Sequence, residues 1–182
     1  MEFVQPIRDK NIIEEVKNNL LKNNSRDFLL FVAGINTGLR ISDLLKLKVD
    51  DVQDKSHIEF REAKTGKNKR FYINPTLREH FNTYIQNMTA NSFLFVSRKG
   101  FNKPITRVQA YKIINDAVKL TGLCDKIGTH TLRKTFGYWH YQQFKDTAIL
   151  QDIFNHSAPS VTLRYIGINA DIVDKTIAEF SL

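Results

Sequence analysis

Little in this sequence could staple, anchor or export the chain. Its 182 residues include one cysteine, Cys124, which excludes an internal disulfide and a cysteine-only zinc site. Cys124 lies in TGLCD between apolar stretches, where a buried, inert thiol is the expectation. No apolar run approaches a membrane span, and the amino terminus lacks the apolar core of a signal peptide. The expected setting is therefore reducing, most simply the cytoplasm, with no membrane partner. Nor does any low-complexity linker, long charge block or internal repeat divide the chain, so residues 1–182 are expected to form a single domain. Acidic residues are also in short supply: 19 Asp and Glu against 27 Lys and Arg leave a formal charge of +8. Such a surplus favours a polyanionic partner, nucleic acid before an acidic membrane surface. On charge alone, a merely soluble basic protein is the simpler reading.

What is present is the mixture of a soluble globular domain, 42% hydrophobic and 25% charged. Ile12, Ile13, Val16, Leu20 and Leu21 recur at helical spacing over residues 8–23. Ser25 is the expected N-cap of a second helix, Phe28 to Ile35, ended by Gly38. A short third helix is expected from Ser42 to Leu47. From Ser56 the texture changes: HIEFREA alternates, KTGKNK is a glycine-containing turn and RFYIN alternates again, which predicts a β-hairpin. Pro75 opens a helix through Met88. FLFVS at 93–97 reads as an edge strand or a buried connector. Thr106 to Leu120 is helical with Tyr111, Ile114 and Val118 along one face. Four more helices are expected at 130–144, 147–155, about 159–165 and 170–180. The fold class is mostly α with a small antiparallel sheet.

Four stretches carry chemistry. In TGLRISDLLKL, Arg40 follows a glycine turn beside Ile41, Leu44, Leu45 and Leu47, so it is either paired with a carboxylate such as Asp43 or aimed at an anion, with the two readings evenly balanced. In THTLRKTF, His130 and Arg133 are three apart and share a helical face, with Thr129 available as a cap. The competing readings are a capping histidine with a surface arginine, or a metal site. No carboxylate or histidine at i+4 completes a ligand set, and His140 falls on another face. Lys64 opens the hairpin turn; a lysine-rich tip is most often simply solvated, but Lys64 shares strand parity with Ile58, Phe60 and Glu62 and so would leave on the core side. In FNHSAPSVTLRYIG, Asn155 tolerates the left-handed turn of a helix end, His156 follows, and Tyr165 comes nine residues later. A tyrosine there is usually a packing residue. As a nucleophile, with an ordinary pKa of about 10, it would need neighbouring cations.

Taken together, the order Arg, Lys, His-x-x-Arg, His, Tyr and its local wording resemble the catalytic domain of the tyrosine site-specific recombinases, the phage integrase family, from about Phe28 to Gly167. The resemblance implies metal-independent DNA cleavage and rejoining with no cofactor. Tyr165 would attack the phosphodiester to give a 3′-phosphotyrosyl bond, and Arg40 and Arg133 would clamp the non-bridging oxygens. Lys64 would be the general acid, His130 would assist proton transfer, and His156 would hydrogen-bond the phosphate. Lys67, Lys69 and Arg70 would contact the DNA backbone, and Arg107 and Lys112 on the 105–120 helix would lie in a groove. The implied partner is double-stranded DNA, bound by a DNA-dependent homotetramer, with a monomer allowed in its absence. Asp43 stands where the family often has Glu, Asn155 replaces a common glycine, and the family's amino-terminal core-binding domain is expected to be absent. For the carboxy-terminal helix, packing in cis and on a neighbouring protomer are equally open. The rival functions are a non-catalytic DNA-binding module of the same fold and a type IB topoisomerase-like relaxing enzyme.

Overall fold

The computed structural model describes residues 4–61, 66 and 68–181. Helix α1 (Lys10–Asn23) and α2 (Ser25–Thr37) are separated by one residue, Asn24, which serves both. Its backbone N–H donates to the Leu20 carbonyl, closing α1, and its side chain accepts from the Arg26 N–H, opening α2. The cap is therefore Asn24 and not Ser25: Asn24 has the extended backbone that aims a side-chain oxygen at the first free N–H groups, and Ser25 is already helical.

Helix α3 (Ile41–Leu44) is shorter than the 42–47 expected. It gives way to a 3-10 turn at Val49–Asp51, where the Asp51 carboxylate accepts the Lys48 N–H at 2.8 Å. Strands β1 (His57–Arg61) and β2 (Asn68–Tyr72) then pair antiparallel, His57 opposite Tyr72 and Arg61 opposite Asn68. Ile58 is buried and Phe60 half-buried, on the parity expected. The second strand starts before Arg70, because Asn68 and Lys69 pair with Arg61 and Phe60. Residues 93–97 make no strand; they are a buried connector around Leu94 and Phe95, tied by isolated bridges of Lys48 to Phe93 and Val96 to Pro104.

Helices α4 (Pro75–Ile85), α5 (Arg107–Lys119), α6 (Thr129–Phe144), α7 (Thr147–Phe154), α8 (Pro159–Ile166) and α9 (Ile168–Ala178) complete the chain. The architecture is mostly α with, among the described residues, one two-stranded antiparallel sheet. None of the helices is long and apolar enough to cross a membrane among those residues.

Two expectations about packing are corrected. Cys124 is exposed, because it lies in the turn after α5 where Ile127, not the thiol, fills the core. Tyr111 is exposed as well: Ile114 and Val118 are buried as expected, but Ala110 and Ala117, not Tyr111, complete the buried face of α5.

Among the described residues, three apolar clusters hold the elements together. One joins α2, α3, the hairpin and α4 around Leu30, Leu44, Ile58, Leu77 and Phe81. A second joins α1, α2, α5 and α6 around Val16, Phe31, Ile114 and Leu132. The third, Leu150, Phe154, Ile166 and Ile168, seats α7, α8 and α9 against Phe136 of α6. Each fully buried Leu or Phe contributes about 1.5–3 kcal/mol.

Two glycines set how closely α6 approaches its neighbours. A Cβ on Gly34 would lie 2.5 Å from Leu132 Cδ1, and one on Gly137 would lie 2.6 Å from Ile166 Cγ2 and 2.7 Å from the Phe154 ring. Their absent side chains bring α6 against both α2 and α8.

Candidate active site

The site gathers at the ends of four helices. Helix α2 stops because Gly38 adopts the left-handed conformation (φ 61°), returning its N–H to the Gly34 carbonyl at 3.1 Å. Any Cβ there would also run into the Phe136 ring, so glycine is required twice over. Arg40 follows in extended conformation as the N-cap residue of α3, half-buried.

Arg133 sits on the second turn of α6 and is only 4% exposed, which removes the surface-arginine reading. Its Nη1 donates to the Gly38 carbonyl and its Nη2 to the Phe154 carbonyl at 3.1 Å, with the guanidinium 4.3 Å from the Phe154 ring centre. A buried cation needs such partners to offset desolvation. Here they join the end of α2, just before Arg40, to the end of α7, just before His156.

Asn155 ends α7 in the left-handed conformation expected of it (φ 53°, ψ 50°). The His156 N–H then turns back to the Gln151 carbonyl at 3.0 Å. The imidazole Nδ1 lies 3.1 Å from the Thr162 hydroxyl, and the ring meets the Tyr165 ring edge-on at 5.1 Å. Tyr165 is on α8, opened by Pro159 and closed by Gly167, and also packs edge-on against Phe154 at 5.6 Å. From the first turn of α6, His130 brings Nδ1 to 3.4 Å from the Tyr165 hydroxyl. Thr129 is not the cap of α6 but its first helical residue; Gly128 takes the cap position, and its N–H donates to the Thr131 hydroxyl at 3.1 Å.

The fields in the site are strong. Burial pushes the Tyr165 phenol above its ordinary range, while the charges of Arg133 and Arg40 and a hydrogen bond from Arg133 pull it back. Burial, then the same two arginines, press the His156 imidazole down to about 4. Both arginines thus act on both Tyr165 and His156, and together with His130 these five residues form one cluster.

The remaining candidates lie elsewhere on the surface or outside the described residues. Lys64 and Lys67 fall in the latter group. Lys69 donates to the Asp152 carbonyl at 2.8 Å, which fastens the hairpin to α7 three residues before Asn155. Arg70 lies 3.7 Å from Glu59 and donates to His57 Nδ1 at 3.0 Å. Arg107 and Lys112 are exposed on α5. His140 packs between the Phe136 and Phe144 rings. Among the described residues, no three His, Cys, Asp or Glu side chains gather closely enough to hold a metal ion.

Sequence reasoning missed Thr162 and Lys134. Both were within reach, since Thr162 is three residues before Tyr165 and Lys134 four after His130, spacings that share a helical face.

A tyrosine set among two arginines and two histidines, on a helical fold with one hairpin, defines the catalytic domain of a tyrosine recombinase, an enzyme class that cleaves and rejoins DNA at specific sites. The chain belongs to the phage integrase family, whose signature it matches over residues 6–171. It is 52% identical over 171 residues to the probable integrase/recombinase YoeC of Bacillus subtilis (strain 168), covering 94% of this chain and 93% of that one. It is 30% identical to the type 1 fimbriae regulatory protein FimE of Escherichia coli (strain K12), over 80% of this chain and 76% of FimE. With tyrosine recombinase XerA of Pyrococcus furiosus it shares 27% identity over 95% of its length, but spans only 62% of that relative. The solved structures share the fold. XerA recombinase superposes with a TM-score of 0.77 at 22% identity, over 96% of this chain and 64% of that one. A lambda integrase dimer bound to a COC' core site gives 0.72 at 16% identity, over 91% and 49%.

Proposed function

We propose that this chain acts as a single catalytic domain that breaks and reseals double-stranded DNA through Tyr165, in site-specific recombination or integration. The observation that carries the reading is the Tyr165 hydroxyl, 3.4 Å from Nδ1 of His130 and within the fields of Arg40 and Arg133. The phenol attacks phosphorus and its proton passes to His130, which is exposed and able to pass it on. A phosphotyrosyl bond forms at the 3′ side as the bond to the 5′-oxygen breaks, and Lys64 protonates that oxygen. The tie from Lys69, on the second strand of the hairpin, to the Asp152 carbonyl of α7 supports this role.

Arg40 and Arg133 hold the non-bridging oxygens, whose charge rises in the transition state. His156, neutral at physiological pH, acts by hydrogen bonding and adds no charge. If Thr162 donates to Nδ1, the proton resides on Nε2, free to point at a phosphoryl oxygen. The phosphotyrosine keeps the energy of the broken bond, so a second 5′-hydroxyl reseals the strand without ATP.

Arg70, Arg107 and Lys112, with Lys67 and Lys69, are read as backbone or groove contacts around the site. Exchange between two duplexes calls for a DNA-dependent homotetramer. The exposed Ile172, Val173, Ile177 and Phe180 at the carboxy-terminal helix offer apolar surface for a neighbouring protomer. The cytoplasm is the natural compartment for this activity.

The test is a nicked suicide substrate carrying the recombination site. A covalent protein–DNA band should form, persist in EDTA and vanish for Tyr165→Phe. Strong, salt-sensitive DNA binding with no covalent product would favour a binding module instead.

A further inference from the structure

Residues 4–9 precede α1 and form no helix or strand, yet the active-site elements satisfy their backbone. The Gln5 N–H donates to the Lys126 carbonyl at 2.9 Å and the Ile7 N–H to the Thr135 hydroxyl at 2.9 Å. Lys134 Nζ donates to the Val4 carbonyl at 2.8 Å and Trp139 Nε1 to the Ile7 carbonyl at 3.0 Å. Val4 also covers Gly128, where an added Cβ would lie 3.1 Å from Val4 Cγ1. The segment is therefore stitched along α6 from the turn before His130 as far as Trp139.

Its end crosses to the nucleophile's side. Arg8 Nε donates to both carboxylate oxygens of Asp171 at 2.9 and 3.2 Å, and Nη2 lies 2.9 Å from Oδ1. Asp171 is in the first turn of α9. The same Nη2 fills the space beside Gly167, where a Cβ would come within 2.7 Å of it. Gly167, in left-handed conformation (φ 88°), is the joint between α8 and α9, two residues past Tyr165. Lys134 is only 5% exposed, and its ammonium lies 5.2 Å from the centre of the Tyr165 ring. One end of the segment thus holds a cation against the face of the tyrosine, and the other clamps the hinge behind it.

We infer that residues 4–8 are a strap that sets the attack geometry of Tyr165, with Lys134 and Arg8 as its positioning residues. This rests on Tyr165 being the nucleophile. Helix α8 has eight residues, too few to be ordered without tertiary ties. A cation over an aromatic face and a bidentate, half-buried ion pair are ties that fix direction as well as distance. Neither residue need touch DNA for this role, so the strap should govern the rate of attack at saturating DNA while leaving affinity unchanged.

The experiment compares wild type with Asp171→Asn, Arg8→Ala, Lys134→Met and the exchanged pair R8D/D171R. Single-turnover formation of the covalent complex on the suicide substrate is measured alongside DNA affinity by gel shift and thermal unfolding. Asp171→Asn and Arg8→Ala should each bind DNA as wild type does and form the adduct on the order of tenfold more slowly, the scale on which small nucleophile displacements act. The exchanged pair should recover most of that rate, which a general loss of stability would not do. Lys134→Met should slow attack at unchanged affinity. If Lys134→Met fails to fold, Asp171→Asn decides alone, because it alters one atom of a partly exposed residue. Wild-type rates in the folded Asp171→Asn and Arg8→Ala proteins, or slowing that tracks lost affinity, would overturn the strap while leaving Tyr165's role intact. Absence of a covalent product from wild type itself would overturn the nucleophile assignment, and the strap with it.

Discussion

Lowering the pH from 6.5 toward 4 should destabilise this protein through one imidazole. His156 is held down to about 4, by burial first and then by Arg133 and Arg40, whereas in the unfolded chain it returns to about 6.5. Above pH 6.5 the ring is neutral in both states and its contribution to stability is complete. Below 6.5 the unfolded chain gains a proton that the folded site refuses, so stability is lost progressively until the folded ring also protonates near 4. At about 1.4 kcal/mol per pH unit, that interval sets a ceiling of about 3.5 kcal/mol. Water reaching the half-buried ring reduces this to roughly 1–3 kcal/mol, a large part of the 5–15 kcal/mol typical of a domain. Urea unfolding of wild type and His156→Gln at pH values from about 7.5 to about 4.5 isolates the effect from other titrating groups. The wild type should lose the extra 1–3 kcal/mol over that range relative to the variant. Parallel curves for the two proteins, or a His156 ring that titrates near 6.5 by NMR in the folded state, would refute the reasoning. If the arginines hold a phosphate, bound DNA should offset their charge and raise the His156 pKa.

The other predictions concern α6 and the phenol. Gly137→Ala gains about 1 kcal/mol of helix propensity, but its Cβ meets the buried Ile166 and Phe154 at 2.6–2.7 Å and should lose about 1–3 kcal/mol to overpacking. A net fall in unfolding free energy with slower adduct formation is expected; a stabilised, fully active variant would show that α6 and α8 are not so closely packed. Because burial outweighs the arginines at Tyr165, the phenolate absorbance attributable to it, wild type minus Tyr165→Phe, should appear only above the ordinary tyrosine range in DNA-free protein. Ionisation below that range would mean the arginine fields dominate.

Local chemistry made much of this legible from residues alone. Gly38 and Asn155 announced their left-handed turns, Pro75 its helix start, and the alternation around Ile58 and Phe60 the hairpin. Errors arose where tertiary contacts decide between neighbours. Asn24 and Ser25 are both good caps, and only the extended backbone of Asn24 selects it. Tyr111 and Ala110 differ by one position on α5, and packing into the cluster shared by α2, α3 and α4 chose Ala110. Cys124 sits among apolar residues in sequence but on an exposed turn in space. At the site, spacing put His130 and Arg133 on one face, yet could not reveal that Arg133 is a buried strut between Gly38 and Phe154. The strap was invisible for a similar reason: residues 4–8 have no periodicity, and apart from the Arg8–Gln5 side-chain bonds their hydrogen-bond partners lie more than a hundred residues away.

Cleavage by Tyr165 requires one phosphorus atom within reach of its hydroxyl and of both arginines. The most direct measurement is to trap the covalent complex, digest protein and DNA, and locate the nucleotide by mass spectrometry, in wild type and in Arg40→Ala and Arg133→Ala. The nucleotide should be found on Tyr165, joined through a 3′-phosphate, and should be lost from both arginine variants while they still bind DNA. An adduct on Tyr138 or Tyr141, a 5′-phosphate linkage, or undiminished adduct without either arginine would contradict the account.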